Sequence, residues 1–262
     1  AGELYAVFDE PMTTEEREAL TFLFAYSTLS DIAHWGGDYL LENVRLALRA
    51  REEMPWGGTV PEDVFRHFVL PPRGNNEALD SARRVFYGAL KERVARCGSM
   101  EEAALEVNHW CHEHVIYKPT NARTASPLAT MRATYGRCGE ESIFTLAALR
   151  AVGIPARQIY TPRWAHCDDN HAWIEVWVNG EWKYLGACEP EPRLNLAWFT
   201  SPVQQAMYVV ADVFGKYRGD EELVATDSDN SIVNVTSHYT PATRAVVRVV
   251  DASCRPAAGA KV

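Results

Sequence analysis

Nowhere in the 262 residues is there a run of about eighteen apolar side chains, so no segment reads as a membrane-spanning helix. Lysine and arginine do not cluster. With 26 of them against 35 acidic residues the net charge is -9, which disfavours nucleic acid as a partner, because phosphate binding needs grouped cations. The six cysteines (97, 111, 138, 167, 188 and 254) contain no CxxC pair and do not make a dense disulfide framework. No acidic loop has the ligand pattern of a calcium site, and there is no internal repeat or low-complexity tract. The chain opens on Ala1 without the charged and apolar regions of a signal peptide. A starting Met is missing too, which we read as processing or cutting, with an export signal removed upstream. What is present is 47% apolar content and eight tryptophans, enough to bury a sizeable core in one large or two smaller domains.

The first hundred residues read as helical. Thr13 and Glu16 have capping-box spacing ahead of Leu20, Phe22, Leu23, Phe24 and Tyr26. Apolar residues then recur at helical spacing over Tyr39–Arg51, and a further helix is expected over Glu77–Arg96. Ser99 and Glu102 cap another, with Ala103, Val107, Trp110, Cys111 and His114 in its stripe. His109, Cys111, His112 and His114 invite a metal reading. Only His109 and His112 approach a shared face, three apart where a zinc helix wants four, so no metal is expected.

From Lys118 to Arg132 the composition predicts a long loop. Then comes Tyr135-Gly136-Arg137-Cys138-Gly139-Glu140-Glu141-Ser142, opening an apolar segment that Gly153 and Pro155 close. Cys138 and Glu141 have capping-box spacing, placing Cys138 at or near the N-cap. Unpaired N–H groups and the helix dipole there favour a thiolate, the reactive form of cysteine. Ala156–Tyr160 reads as a strand. His171 begins a hairpin that puts His171, Trp173, Glu175 and Trp177 on one face, turns at Asn179-Gly180 and returns through Trp182–Leu185. An apolar stretch covers Val203–Phe214, and Ser231–Val250 alternates like strands with a turn at Tyr239-Thr240-Pro241.

The order Gly136-Arg137-Cys138-Gly139-Glu140-Glu141, Val152-Gly153-Ile154-Pro155-Ala156-Arg157, His171-Ala172-Trp173-Ile174-Glu175-Val176 and Trp182-Lys183-Tyr184-Leu185 resembles the transglutaminase-like cysteine superfamily over about residues 99–192. The resemblance implies an α+β fold with a papain-like core, a cysteine helix packed on a small antiparallel sheet, here preceded by a helical N-terminal region. It implies Cys138 as nucleophile and His171 as general base and acid. The family's third member, an Asp at the end of the strand after the His hairpin, is replaced by Gly186-Ala187-Cys188-Glu189-Pro190. Glu189 is the candidate orienting acid; as a solvated loop residue it would have no such role. Trp110 is a candidate oxyanion donor or a core residue. His166, Asp168 and Asp169 line the cleft or form a hydrophilic loop, and Trp173 with its hairpin stacks sugars or packs in the core.

The expected organisation is a helical region over 1–98, the catalytic core over 99–215, a β-rich extension over 216–250 and, over 251–262, the start of a strand resembling the first of a prealbumin-like β-sandwich. The expected chemistry is thiol-dependent amide hydrolysis or acyl transfer on a peptide, protein or glycopeptide, with a protease or amidase foremost. Peptide N-glycanase-like cleavage at glycosylated Asn and an inactive scaffold or glycan-binding module are the alternatives. No cofactor is expected, and a bacterial source and a periplasmic or cell-surface location fit the resemblance.

Overall fold

The computed structural model describes residues 3–120, 123–243 and 246–259. After a 3-10 turn at Glu3–Asp9, α1 (Thr14–Tyr26) starts at the expected capping box. The Thr13 hydroxyl accepts from the Glu16 N–H at 3.1 Å, and the Glu16 carboxylate accepts from the Thr13 N–H at 2.8 Å. The helix expected over Tyr39–Arg51 is the straight part of a longer one, α2 (Leu29–Glu53), kinked where Gly36 takes φ +71°. Next come α3 (Glu62–Phe68) and α4 (Ala82–Val94). The latter starts five residues later than expected, because the Glu77 carboxylate turns back to accept from the N–H groups of Gly74 and Asn75 at 2.6 and 2.8 Å. The Ser99 cap holds, opening α5 (Met100–His114).

The loop expected from Lys118 to Arg132 contains a helix. After β1 (Ile116–Tyr117), Ser126 caps α6 (Pro127–Ala133), with Pro127 at its first position, where a missing N–H costs nothing. Thr134 ends that helix in the left-handed region, and β2 (Tyr135–Gly136) pairs parallel with β1. Then α7 (Cys138–Ala151) runs to Gly153, whose φ of +74° makes the expected C-terminal stop.

Six strands follow: β3 (Ala156–Thr161), β4 (His171–Val178), β5 (Glu181–Leu185), and, after the short α8 (Thr200–Val203), β6 (Val210–Phe214), β7 (Glu222–Thr226) and β8 (Asn230–Asn234). They form one antiparallel sheet in the order β5-β4-β3-β6-β8-β7. The strand expected over Ser231–Val250 covers only β8. Beyond it Thr236–His238 is a 3-10 turn, and Val246, Val247, Val249 and Val250 stand exposed, the last in an isolated antiparallel bridge with Pro256. Of the strand expected at 259–262, residues 260–262 lie outside the described residues. The fold is α+β, as expected.

Alternation along β4 divides the interior. Ala172, Ile174, Val176 and Val178 are buried on the face that receives α7, whereas Trp173 joins Phe68, Ile159, Trp164, Phe199 and Val213 on the other. Leu20, Val44, Phe86, Val107 and Leu149 belong to one continuous cluster, so the N-terminal helices and α7 share a core. Two fully buried arginines tie them. Arg83 donates to the carbonyls of Val69, Leu70, Pro71 and Arg150, and Arg150 to those of Pro71, Arg73 and Ala156. The Trp56 indole adds a bond to the Val152 carbonyl at 3.1 Å.

Candidate active site

Cys138 is the first residue of α7, with Arg137 as N-cap, so the capping pair lies one residue before the expected Cys138–Glu141. An arginine side chain cannot accept, and only the return bond forms, from the Arg137 N–H to the Glu140 carboxylate at 3.0 Å. Gly136 makes this possible: a Cβ there would lie 2.5 Å from that of Glu140. Glu140 also meets the Arg137 guanidinium, at 3.3 Å. The first N–H with a helical acceptor is that of Glu141, bonded to the Arg137 carbonyl, which leaves the amides of Cys138 and Gly139 at the helix mouth, where negative charge is favoured.

The Cys138 side chain is half-buried. Burial pushes its thiol up, against the N–H groups of Ala172 and Gly139 and the charge of Arg137, while Glu141 adds to the rise. The Ala172 amide joins helix and strand. It brings the start of β4 to the sulfur, with His171 the preceding residue of that strand.

His171 sits among aromatic rings, with Trp198 at 4.9 Å and Phe199 at 5.1 Å, both edge-on, and Trp173 and Trp164 at 5.8 and 5.9 Å. Burial lowers its pKa to about 4, partly opposed by Asp169. At neutral pH the imidazole is therefore uncharged and able to take a proton. Its Nε2 is buried and has no hydrogen-bond partner.

Glu189 is half-buried and makes no hydrogen bond to that nitrogen. Its backbone bonds to Gly186 at 3.1 Å and its carboxylate folds over the same residue, so that a Cβ on Gly186 would stand 2.6 Å from Oε2. The loop is anchored from α5: Asn108 donates to the Gly186 carbonyl and accepts from the Cys188 N–H, both at 2.9 Å, while His112 Nδ1 lies 2.9 Å from the Cys188 carbonyl. Burial raises the Glu189 pKa, with the Trp198 indole and His112 pulling the other way.

The remaining predicted residues are placed as follows. Trp110 is buried, stacked on Phe144 at 5.6 Å and edge-on to Phe86 at 5.3 Å. Trp173 is fully buried, its indole donating to the Tyr239 hydroxyl at 2.9 Å. His166 and Asp168 are exposed, with Asp168 paired to Arg163 at 2.5 Å. Asp169, also exposed, accepts at its backbone carbonyl from Trp164 and acts electrostatically on His171.

Sequence reasoning missed two residues. Glu141, one turn beyond Cys138 on the same helix, is buried, and its carboxyl is pushed up to about 8 by burial and then by Glu189 and Glu140. Tyr117, held beside Gly136 by the β1–β2 pairing, is exposed. Burial around its hydroxyl raises its pKa, and so do Cys138, Asp169, Glu141 and Glu189. The doubled Glu three residues after Cys138 was the available signal for the first; nothing in the sequence marked the second.

Residues 88–187 match the family model of the transglutaminase-like superfamily. An uncharacterized protein of Mycobacterium leprae (strain TN) is 28% identical over 108 residues, covering 37% of this chain; the chain thus spans 38% of that relative's length. Among solved structures, a candidate cysteine protease from Cytophaga hutchinsonii is 18% identical with a TM-score of 0.34, the overlap covering 59% of this chain and 58% of that one. A candidate protease from Parabacteroides distasonis ATCC 8503 is 15% identical with a TM-score of 0.37, over 64% of this chain and 29% of the other. Residues 88–187, which hold the Cys and His motifs on adjoining helix and strand, are thus similar to the transglutaminase-like superfamily.

Proposed function

We propose that this protein is a thiol-dependent amide hydrolase or acyltransferase, with hydrolysis of a peptide or related amide as its main reaction. The observation that carries the reading is the Cys138 sulfur at the open mouth of α7, met by the Ala172 N–H of the strand that begins with His171. With a raised thiol and an uncharged imidazole, the resting pair is neutral. Cys138 then loses its proton to His171 as its sulfur attacks the amide carbonyl, and the helix-mouth amide of Cys138 receives the negative charge on the carbonyl oxygen. His171 returns the proton to the leaving nitrogen as the C–N bond breaks. Water, deprotonated by His171, resolves the thioester and frees the acid; an amine in its place would give a new amide.

Glu189 is the group we assign to orient His171 in the loaded site. In the free protein His171 Nε2 awaits a partner, and hydrogen bonds of this kind often tighten only once substrate is bound. The same vacancy supports the scaffold reading, and one experiment separates the two. Incubation with mixed peptide, glycopeptide and cell-wall fragments should leave an acyl adduct on Cys138, detectable by mass spectrometry and absent in His171→Ala. A protein that forms no adduct and turns over none of these amides is a scaffold.

A further inference from the structure

A cavity of about 540 Å³ opens where the first turns of α2, the loop ahead of α4, Arg123 and the adjoining ends of β6 and β8 meet. Its volume falls within the roughly 300–1,000 Å³ of small-ligand sites, and Cys138, His171 and Glu189 lie outside its walls. The kink at Gly36 turns the opening stretch of α2 aside, and Asp31, His34 and Trp35 of that stretch line the space.

The polar walls are fixed by their own hydrogen bonds. Arg73 Nε donates to Asp31 Oδ2 at 2.8 Å, with Nη2 on the other oxygen, and Nη1 donates to the Glu77 carbonyl. The Asn75 amide donates to Gln158 at 2.7 Å and to Asp212 at 3.1 Å, and Arg123 grips the Asn76 carbonyl through two nitrogens at 3.1 and 2.8 Å. Among the described residues the Asn76 side-chain amide, Asn75 Oδ1 and Arg123 Nη1 meet no partner, so planar groups in fixed positions keep free donors and acceptors at the walls. Rings complete the lining. Trp35, half-buried, packs on Tyr39 at 4.6 Å, and Tyr26 stands edge-on to Phe214 at 6.4 Å.

This mixture selects a class of ligand. The carboxylates of Asp31, Glu77, Asp227 and Asp229 share the walls with two guanidiniums, of which Arg73 is already spent on Asp31, so phosphates and other anions are repelled. The polar groups exclude a purely apolar molecule, which would strip their water without replacing its hydrogen bonds. A sugar meets both conditions. It is neutral, its neighbouring hydroxyls pair donor with acceptor as planar amide, carboxylate and guanidinium groups require, and its C–H face packs on an aromatic ring. We infer that this cavity binds a short saccharide, with a sugar ring against Trp35 and hydroxyls on Asn76, Arg123 and Asp229. The site goes beyond the amide chemistry at Cys138 and stands without it.

Isothermal titration calorimetry of the full chain with glucose, N-acetylglucosamine, cellobiose, maltose and N,N′-diacetylchitobiose should give saturable binding of at least one, with a Kd of about 1 mM or below. Inorganic phosphate and trialanine are the comparison ligands. Asn76 and Arg123 are exposed, so Asn76→Ala and Arg123→Ala should leave the fold intact, which thermal melts check. Together they should weaken the saccharide at least about tenfold, through the loss of two modest hydrogen bonds. Indole fluorescence should change on binding, and Trp35→Phe should abolish that change while the saccharide still binds. Cys138→Ala should bind as the wild type does, which keeps this result separate from the amide reading. No binding across the series up to about 10 mM, binding unaltered in the double variant, or tighter binding of phosphate or trialanine overturns the site. Loss of binding in Cys138→Ala would place the saccharide in the thiol cleft and overturn it too.

Discussion

Replacing Glu141 by glutamine should make this protein more stable in mild alkali while leaving it nearly unchanged in mild acid. In the unfolded chain this carboxyl ionises near 4.5, in the folded one near 8. Between those values the native state holds the proton more tightly than the unfolded state, so stability falls as pH rises from about 4.5, and the loss is complete just above pH 8. At about 1.4 kcal/mol per pH unit, the window is worth up to roughly 5 kcal/mol. A glutamine fills the same space, carries no charge and removes the repulsion with Glu189. Urea titrations of both proteins at about pH 5 and pH 9 should therefore agree within about 1 kcal/mol in acid and differ by roughly 3–5 kcal/mol in alkali, or about 10 °C in Tm. Groups common to both proteins cancel in the comparison. Stability curves that run parallel across this range would refute the reasoning, since they would mean that Glu141 ionises in the folded protein as it does in the unfolded chain.

Gly186→Ala places a methyl group 2.6 Å from Glu189 Oε2 and 3.1 Å from its Cβ, so the carboxylate must move; kcat/KM should fall by roughly 10- to 100-fold with Tm little changed, and unaltered kinetics would remove Glu189 from the reaction. Because His171 is uncharged above about pH 4, the acid limb of the kcat/KM profile should lie near that value rather than near the 6.5 of an ordinary imidazole, as a pH series will show. Glu175 is held down to about 2 although burial works against it, by Arg157 and by the hydrogen bond from His238, so its contribution is present above the unfolded value of 4.5 and lost as pH falls toward 2. Glu175→Gln leaves the fully buried Arg157 without its main partner and should cost about 3–5 kcal/mol by urea titration at neutral pH.

The parts of the fold legible in the sequence are those set by local chemistry. Thr13 with Glu16, the Ser99 cap, Gly153 after α7 and the Asn179-Gly180 turn all act within a few residues, and each is where the pattern put it. Glu77 escaped because its carboxylate caps its own upstream loop, a choice that helical periodicity does not record. β7 has all five residues exposed and pairs at the sheet's edge, so it carries no apolar alternation to read. The meeting of helix and strand at Cys138 was legible through motif order. The acidity of the cleft was not, since it depends on Glu189 crossing over Gly186 and on Tyr117 being carried to the helix mouth by β1.

The paired arginines 83 and 150 have a consequence for anyone wishing to trim this protein. A fragment cut to the family's span, beginning at residue 88, would discard Arg83 and the carbonyls of Pro71 and Arg73 that Arg150 holds. It would also bare Leu149 and Phe144 where Val44 and Phe86 now cover them. Such a piece would keep Cys138 and His171 but lose Glu189 and the scaffold that aims them, so the smallest soluble unit should start upstream of α1.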